Sequence, residues 1–199
     1  AFCTLETNDT DLKKVWDICK STVKYGAQET FVDCPMREKG QYAGDLTITT
    51  AAHLVLTKDA SLTSKAIENQ AQSAAVCKGL LAVTPGSLMQ EIADYSLQFP
   101  LLALTHYKYT NDLRFLKKNL ETSKEMIAHF EKYQREDGLL AGVDDKWNLV
   151  DWPENLRDGY DFPLLRPMDR NSPPHNVINA FFIGAVLKTE EINNILGIP

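Results

Sequence analysis

Residues Glu29–Asp45 read ETFVDCPMREKGQYAGD and set three carboxylates, Asp33, Glu38 and Asp45, beside Arg37, Tyr42 and two glycines. Pro35 holds Cys34 out of the helical region, and Gly40 and Gly44 open backbone shapes that other residues resist. The run is therefore a loop, and the apolar stretch behind Asp45 reads as a helix. Acids, a guanidinium and an aromatic ring on a loop that feeds a helix suit a sugar. Carboxylates protonate a leaving oxygen or accept from hydroxyls, and a ring stacks on a sugar face. Neighbouring acids also raise one another's pKa, which keeps a general acid protonated near neutrality. Residue types alone leave a plainer alternative open, a solvated and capped loop between two helices.

The order of the residues resembles the signature of the inverting α-L-rhamnosidases, glycoside hydrolase family 78. Asp33, Cys34 and Pro35 supply its Asp-Cys-Pro, Glu38 the Glu of the polar segment that follows, and Tyr42, Ala43, Gly44 and Asp45 its aromatic-small-Gly-Asp end. The family's aromatic is usually Trp, so Tyr42 is a departure. The resemblance implies an all-α (α/α)6 barrel. It implies Glu38 as the general acid, and Asp33, Arg37 and Asp45 as sugar-binding residues, with Tyr42 in the stacking position.

The flanking chain has the organisation of such a barrel on its own evidence. Leu12, Val15, Trp16, Cys19 and Val23 fall at helical steps, which predicts an amphipathic helix capped by Asn8 or Thr10 and ended near Gly26. Residues 45–58 predict a helix apolar on most sides, in which His53 is a core histidine bonded to a neighbour. Residues 61–78 predict an outer helix with Lys65, Glu68, Gln70 and Gln72 on its polar side. Residues 91–110 are again apolar nearly all round, with Pro100 predicting a kink or a start nearer Ser96. Residues 112–134 are amphipathic, with Leu113, Leu116, Leu120, Ile127 and Phe130 facing inward. A last inner-type helix spans 175–188, and a further amphipathic one begins at Thr189. Alternation of amphipathic and buried helices is what two concentric rings of helical hairpins require.

Residues 139–174 predict a long loop region, and loops of this length in compact domains are usually functional or disordered. Trp147 and Trp152 lie there beside Asp151 and Glu154. Acids and rings together suit carbohydrate, and two tryptophans also suit a hydrophobic lid. The family resemblance, which includes a Trp-containing segment of this kind lining the sugar pocket, adds Trp147 and Trp152 to the substrate-binding residues. Asp94, just ahead of the second buried helix, is a weaker candidate that also suits a helix cap.

Composition excludes several classes. A net charge of −6 with no basic run argues against nucleic acid and anionic membranes. No apolar run approaches the ~20 residues that span a bilayer. The four cysteines form no CxxC pair, and Cys19 and Cys77 read as buried thiols, so they do not distinguish a reducing from an oxidising compartment. No HExxH, GxSxG, phosphate loop, dinucleotide fingerprint or calcium-loop spacing is present, so the expectation is no metal and no cofactor.

The 199 residues hold about six long helices, half of the roughly twelve in a closed ring of six hairpins. The chain is therefore expected to be a partial catalytic domain over residues 1–199, completed by the remaining half of the barrel from its parent chain or another chain. An inverting glycosidase needs a second carboxyl as base, about 6.5–9.5 Å from the acid. The family carries it downstream of the matched segment, so the expected substrate is a rhamnoside and the isolated chain is expected to be inactive. Another (α/α)6 glycosidase or lyase, and a non-catalytic carbohydrate-binding domain, are the alternative readings.

Overall fold

A computed structural model describes residues 3–76, 78–86, 91–143, 148 and 171–199. Among them are seven α-helices: α1 (Thr10–Gly26), α2 (Ala43–Thr57), α3 (Ser61–Ser73), α4 (Ala93–Ser96), α5 (Phe99–Thr110), α6 (Leu113–Glu131) and α7 (Asn176–Leu196). The only β-pairing among the described residues is four isolated bridges.

The helices form two layers. The inner row is α2, α5 and α7, each packed on its neighbour. The outer row is α1 on α2, α3 across α2 and α5, and α6 across α5 and α7. Phe31, Ile67, Phe99, Phe130, Tyr133 and Ile178 are fully buried between the rows. Leu104, Leu116, Leu120 and Ile192 form a second cluster on α5, α6 and α7.

Local chemistry explains the elements. α2 is a helix despite its β-branched residues, and its threonine hydroxyls, polar groups on a largely apolar helix, are satisfied locally by the preceding turn: Thr47 donates to the Gly44 carbonyl at 2.8 Å and Thr49 to the Asp45 carbonyl at 2.9 Å. Pro100 falls in the first turn of α5, where its missing N–H costs little, so the 91–110 segment is a single helical turn followed by a new helix rather than one kinked rod. Asp112 caps α6 by accepting from the Arg114 and Phe115 amides. Between layers, the Ser64 hydroxyl meets His106 Nε2 at 2.8 Å, and the His106 ring lies on Phe115 at 4.1 Å. His53, expected in the core, is only partly buried, with its ring edge-on to Phe31 and its Nδ1 3.5 Å from the Thr57 hydroxyl.

Several expectations are corrected. The cap of α1 is Asp9, which accepts from the Asp11 and Leu12 amides, not Asn8 or Thr10. No residue of α1 is buried: Leu12, Val15 and Ile18 are exposed, and so is Cys19. Of its predicted apolar stripe, Trp16 and Val23 are partly buried and Leu12, Val15 and Cys19 are exposed, so its contact with α2 covers only part of that face. Gln70 is fully buried rather than on a polar face, because its amide is consumed by the Gln41 carbonyl. Leu113 is largely exposed, since α6 only begins there. The predicted break before Thr189 does not occur: α7 runs unbroken to Leu196, where Gly197 caps it in the left-handed conformation, and the Thr189 hydroxyl is satisfied within it by the Ala185 carbonyl. Cys77, Trp147, Trp152 and Glu154 lie outside the described residues. No described helix is long and apolar enough to cross a membrane.

Candidate active site

The acid loop is built before its side chains are functional. The Asp33 amide donates to the Gly40 carbonyl at 3.0 Å, and the Gly40 amide returns a bond to Asp33 Oδ1 at 2.9 Å. This reciprocal clasp closes residues 33–40 into a compact turn, in which Lys39 adopts φ 51. The loop is then riveted to α3. The Gln41 side chain donates to the Ala66 carbonyl at 3.1 Å, Gln70 donates to the Gln41 carbonyl at 2.9 Å, and Thr30 bonds the Gln41 side chain. Because Gln41 is buried on these bonds, Tyr42 and Asp45 emerge at a fixed place, the start of α2.

Gly40 is required by contact. A Cβ there would lie 2.6 Å from the Tyr42 ring and 2.8 Å from Thr84. Its absence lets the Tyr42 ring cross the loop.

Asp33, Arg37, Glu38, Tyr42 and Asp45 line one cavity of about 560 Å³. Five of the seven sequence-derived site residues therefore meet at the starts of α2 and α4. Trp147 and Trp152 lie outside the described residues. Two further residues complete the wall, Ile92 and Tyr95. Sequence reading missed them because it singled out the acid between them; Asp94 itself is buried in the first turn of α4.

The carboxylates differ in state. Glu38 accepts from Arg37 Nε at 2.7 Å and from the Cys34 thiol at 2.9 Å. The Arg37 and Cys34 bonds hold Glu38 down at about 2, so in this arrangement it is ionised. The Arg37 guanidinium is raised in return, by its bond to Glu38 first. Asp45 is half-buried, and burial pushes its carboxyl up, with the Asp33 charge adding to the effect. The mutual elevation expected of neighbouring acids thus applies to Asp45 and not to Glu38. The Tyr42 hydroxyl is also pushed up, first by burial and then by the Asp33, Glu38 and Asp45 charges. Asp33, Cys34 and Glu38 bring donor atoms within 4.8 Å of one another. Those atoms are engaged by Gly40, by Arg37 and by each other.

A cavity of this size with three carboxylates, a guanidinium, a polar ring and an apolar wall accommodates a monosaccharide unit. It offers acceptors and donors for hydroxyls, and a carboxyl for proton transfer.

Residues 1–198 match the model of the bacterial α-L-rhamnosidase six-hairpin glycosidase domain. The chain belongs to that family. Two solved structures share its fold. One is a family 78 rhamnosidase of Bacillus sp. GL1, with TM-score 0.82 and 19% identity over 99% of this chain and 20% of that one. The other is a rhamnosidase from Klebsiella oxytoca with rhamnose bound, with TM-score 0.77 and 16% identity over 98% of this chain and 36% of that one. This rhamnosidase-type chain thus spans about a fifth and about a third of the two enzymes. No curated protein matches its sequence.

Proposed function

We propose that residues 1–199 form half of a six-hairpin catalytic domain that removes terminal α-L-rhamnose from glycosides or polysaccharides by an inverting mechanism. The observation that carries the proposal is the convergence of Asp33, Arg37, Glu38, Tyr42 and Asp45 on one cavity of about 560 Å³. The rhamnose bound in the Klebsiella oxytoca enzyme, a structural neighbour, supports the choice of sugar.

In this mechanism Glu38 protonates the leaving oxygen, and Asp33 and Asp45 accept from sugar hydroxyls. Tyr42 supplies the ring face, joined by Trp147 or Trp152. A base carboxylate about 6.5–9.5 Å from Glu38 activates water on the opposite face. We assign that base to the missing half of the barrel, so the isolated chain does not turn over. The ionised state of Glu38 adds a step. Arg37 must transfer its N–H donors from Glu38 to the substrate before Glu38 can carry a proton. Sugar binding and acid activation are then one event.

The test is hydrolysis of p-nitrophenyl α-L-rhamnopyranoside by the full natural chain, with Glu38→Gln beside it. Loss of about 10²–10⁴-fold in the variant is expected for a positioned acid. A parent inert on rhamnoside but active on another nitrophenyl glycoside would transfer the site to a different (α/α)6 glycosidase or lyase. The Arg37–Glu38 contact also favours one non-catalytic alternative, a carbohydrate-binding domain whose acid stays ionised. A parent that binds rhamnose and cleaves nothing would establish it.

A further inference from the structure

Arg37 and Cys34 hold different oxygens of Glu38. The Arg37 guanidinium sits on Oε1, through Nε at 2.7 Å and through Nη2, and the Cys34 thiol donates to Oε2 at 2.9 Å. The two holds differ in kind. The Arg37 side chain is exposed, reaches Glu38 on a long flexible stem and carries a permanent charge. The Cys34 side chain is partly buried and places its sulfur by a single bond rotation. Its backbone is also fixed from both sides. Pro35 restricts it to extended shapes, and Asp33 is clasped to Gly40 in both directions. Cys34 is not among the residues that line the cavity, whereas Arg37 and Glu38 both are. It therefore meets Glu38 from within the loop and not from the substrate's side.

A general acid must be neutral and must present its proton toward the bond that is cleaved. A guanidinium has donors only, so Oε1 can carry a proton only after Arg37 has left it. A thiol is a weak, uncharged donor, and Oε2 accepts from it in the carboxylate and, as a carbonyl oxygen, in the neutral acid. We propose that Cys34 is a positioning residue whose thiol keeps Oε2 as the unprotonated oxygen and fixes the rotation of the carboxyl, so that Glu38 carries its proton on Oε1. In the step itself the Oε1–H bond breaks, an O–H bond forms on the leaving oxygen as that oxygen parts from the sugar carbon, and Glu38 returns to a carboxylate. A proton from solvent restores it. The inference rests on the reading of Glu38 as the general acid and adds the group that aims it.

The experiment compares the full natural chain with Cys34→Ala and Cys34→Ser on p-nitrophenyl α-L-rhamnopyranoside across pH. Cys34→Ala is expected to lower kcat about tenfold, a part of the 10²–10⁴-fold that a positioned acid supplies, with KM held within about twofold. A donor on the carboxylate favours its ionised form, so removing the thiol raises the pKa of Glu38 and moves the basic limb of the kcat profile to higher pH. The other charged or titratable groups around Glu38 are Asp33 and Arg37 of the loop, Tyr42 and Asp45 at the start of α2, and Tyr95 of α4, and these variants change none of them. Cys34→Ser keeps a donor on the same carbon and is expected to recover most of the lost kcat, which a merely structural thiol would not predict. The contact itself is read without turnover. The S–H infrared stretch, isolated as the difference between the natural chain and Cys34→Ala, is expected to rise in frequency in Glu38→Gln, because an amide oxygen accepts more weakly than a carboxylate. Melting curves identify a Cys34→Ala protein that fails to fold, in which case Cys34→Val, which fills the thiol's space without a donor, carries the same comparisons. An unmoved S–H band, or a kcat and a basic limb unchanged without the thiol while rhamnoside is still cleaved, overturns the inference and leaves the glycosidase reading intact. A parent that turns over no rhamnoside overturns the reading beneath it, and the inference with it.

Discussion

The loop over residues 33–40 and the core beneath it are held by different forces. The loop is largely exposed, charged and closed by one backbone bond and one amide-to-carboxylate bond between Asp33 and Gly40. The core around Phe130, Tyr133 and Ile178 is fully buried and almost wholly apolar. Gln41 and Gln70 form the seam between them. The contrast means that the residues with chemistry contribute little to stability, and the residues that set stability have no chemistry. Function and folding should then fail separately, and each variant below either sharpens that division or breaks it.

The largest effect belongs to the core. Phe130 is fully buried against Tyr133 and Phe182. Phe130→Ala should cost about 3–5 kcal/mol of unfolding free energy, measured by urea denaturation, through lost burial and the cavity left behind. A cost below about 1 kcal/mol would mean the two layers do not share one core. Next is Asn179, whose side chain both accepts from the Leu140 amide and donates to the Leu140 carbonyl, each at 2.9 Å. Asn179→Ala orphans both buried groups and should cost about 2 kcal/mol in the same assay.

The helical scaffold was legible in the sequence because 3.6-residue periodicity reports a buried face directly. Leu116, Leu120 and Phe130 are buried where that pattern put them. The same rule failed for α1. Its stripe of Leu12, Val15, Trp16, Cys19 and Val23 is as clear as any, yet only Trp16 and Val23 are partly buried, because periodicity states that a face is apolar and not how much of it a partner covers. Gln70 failed in the other direction, since a buried amide looks polar until its carbonyl partner is known. At the site, the motif order pointed to five residues that share the cavity. Tyr95 and Ile92 escaped because they come from another element, and pairing across about fifty residues leaves no mark on local spacing. The ionised state of Glu38 was also invisible. It depends on which atoms of Arg37 and Cys34 meet which oxygen.

A smaller effect comes from His175, which caps α7 by accepting from the Ile178 amide at its Nδ1, 3.2 Å away. Only a neutral ring can do this. Burial lowers the ring's pKa to about 4, against about 6.5 in an unfolded chain. As pH falls, the unfolded state takes up the proton first. The contribution is therefore complete above about pH 6.5, declines toward pH 4 and is absent below. His53 and His106, both also lowered by burial, act in the same direction. His175→Asn keeps a capping acceptor that does not titrate. It should remove about 1 kcal/mol of the loss between pH 6.5 and pH 4 in urea midpoints taken across that range. An unchanged pH slope would show that the cap is not what His175 contributes.

The smallest expected effect on stability is the most informative for the loop. The Arg37 side chain is 87% exposed and its Glu38 partner 31%, so their bond lies in solvent and Arg37→Ala should leave the melting midpoint unmoved. It should nonetheless move Glu38 from about 2 back toward its ordinary 4.5, because the Arg37 bond is the largest cause of the depression. The Cys34 thiol keeps a share of the depression. Carboxyl carbon NMR titration of Glu38 reads the change directly. A Glu38 that stays near 2 without Arg37 would place control of the acid with Cys34, and the coupling of sugar binding to acid activation would fall. A midpoint that drops would show that loop and core are one cooperative unit. If Glu38 rises while the midpoint holds, the guanidinium acts as a catch on the acid, and a ligand that draws Arg37 away frees Glu38 to take up the proton it is to donate.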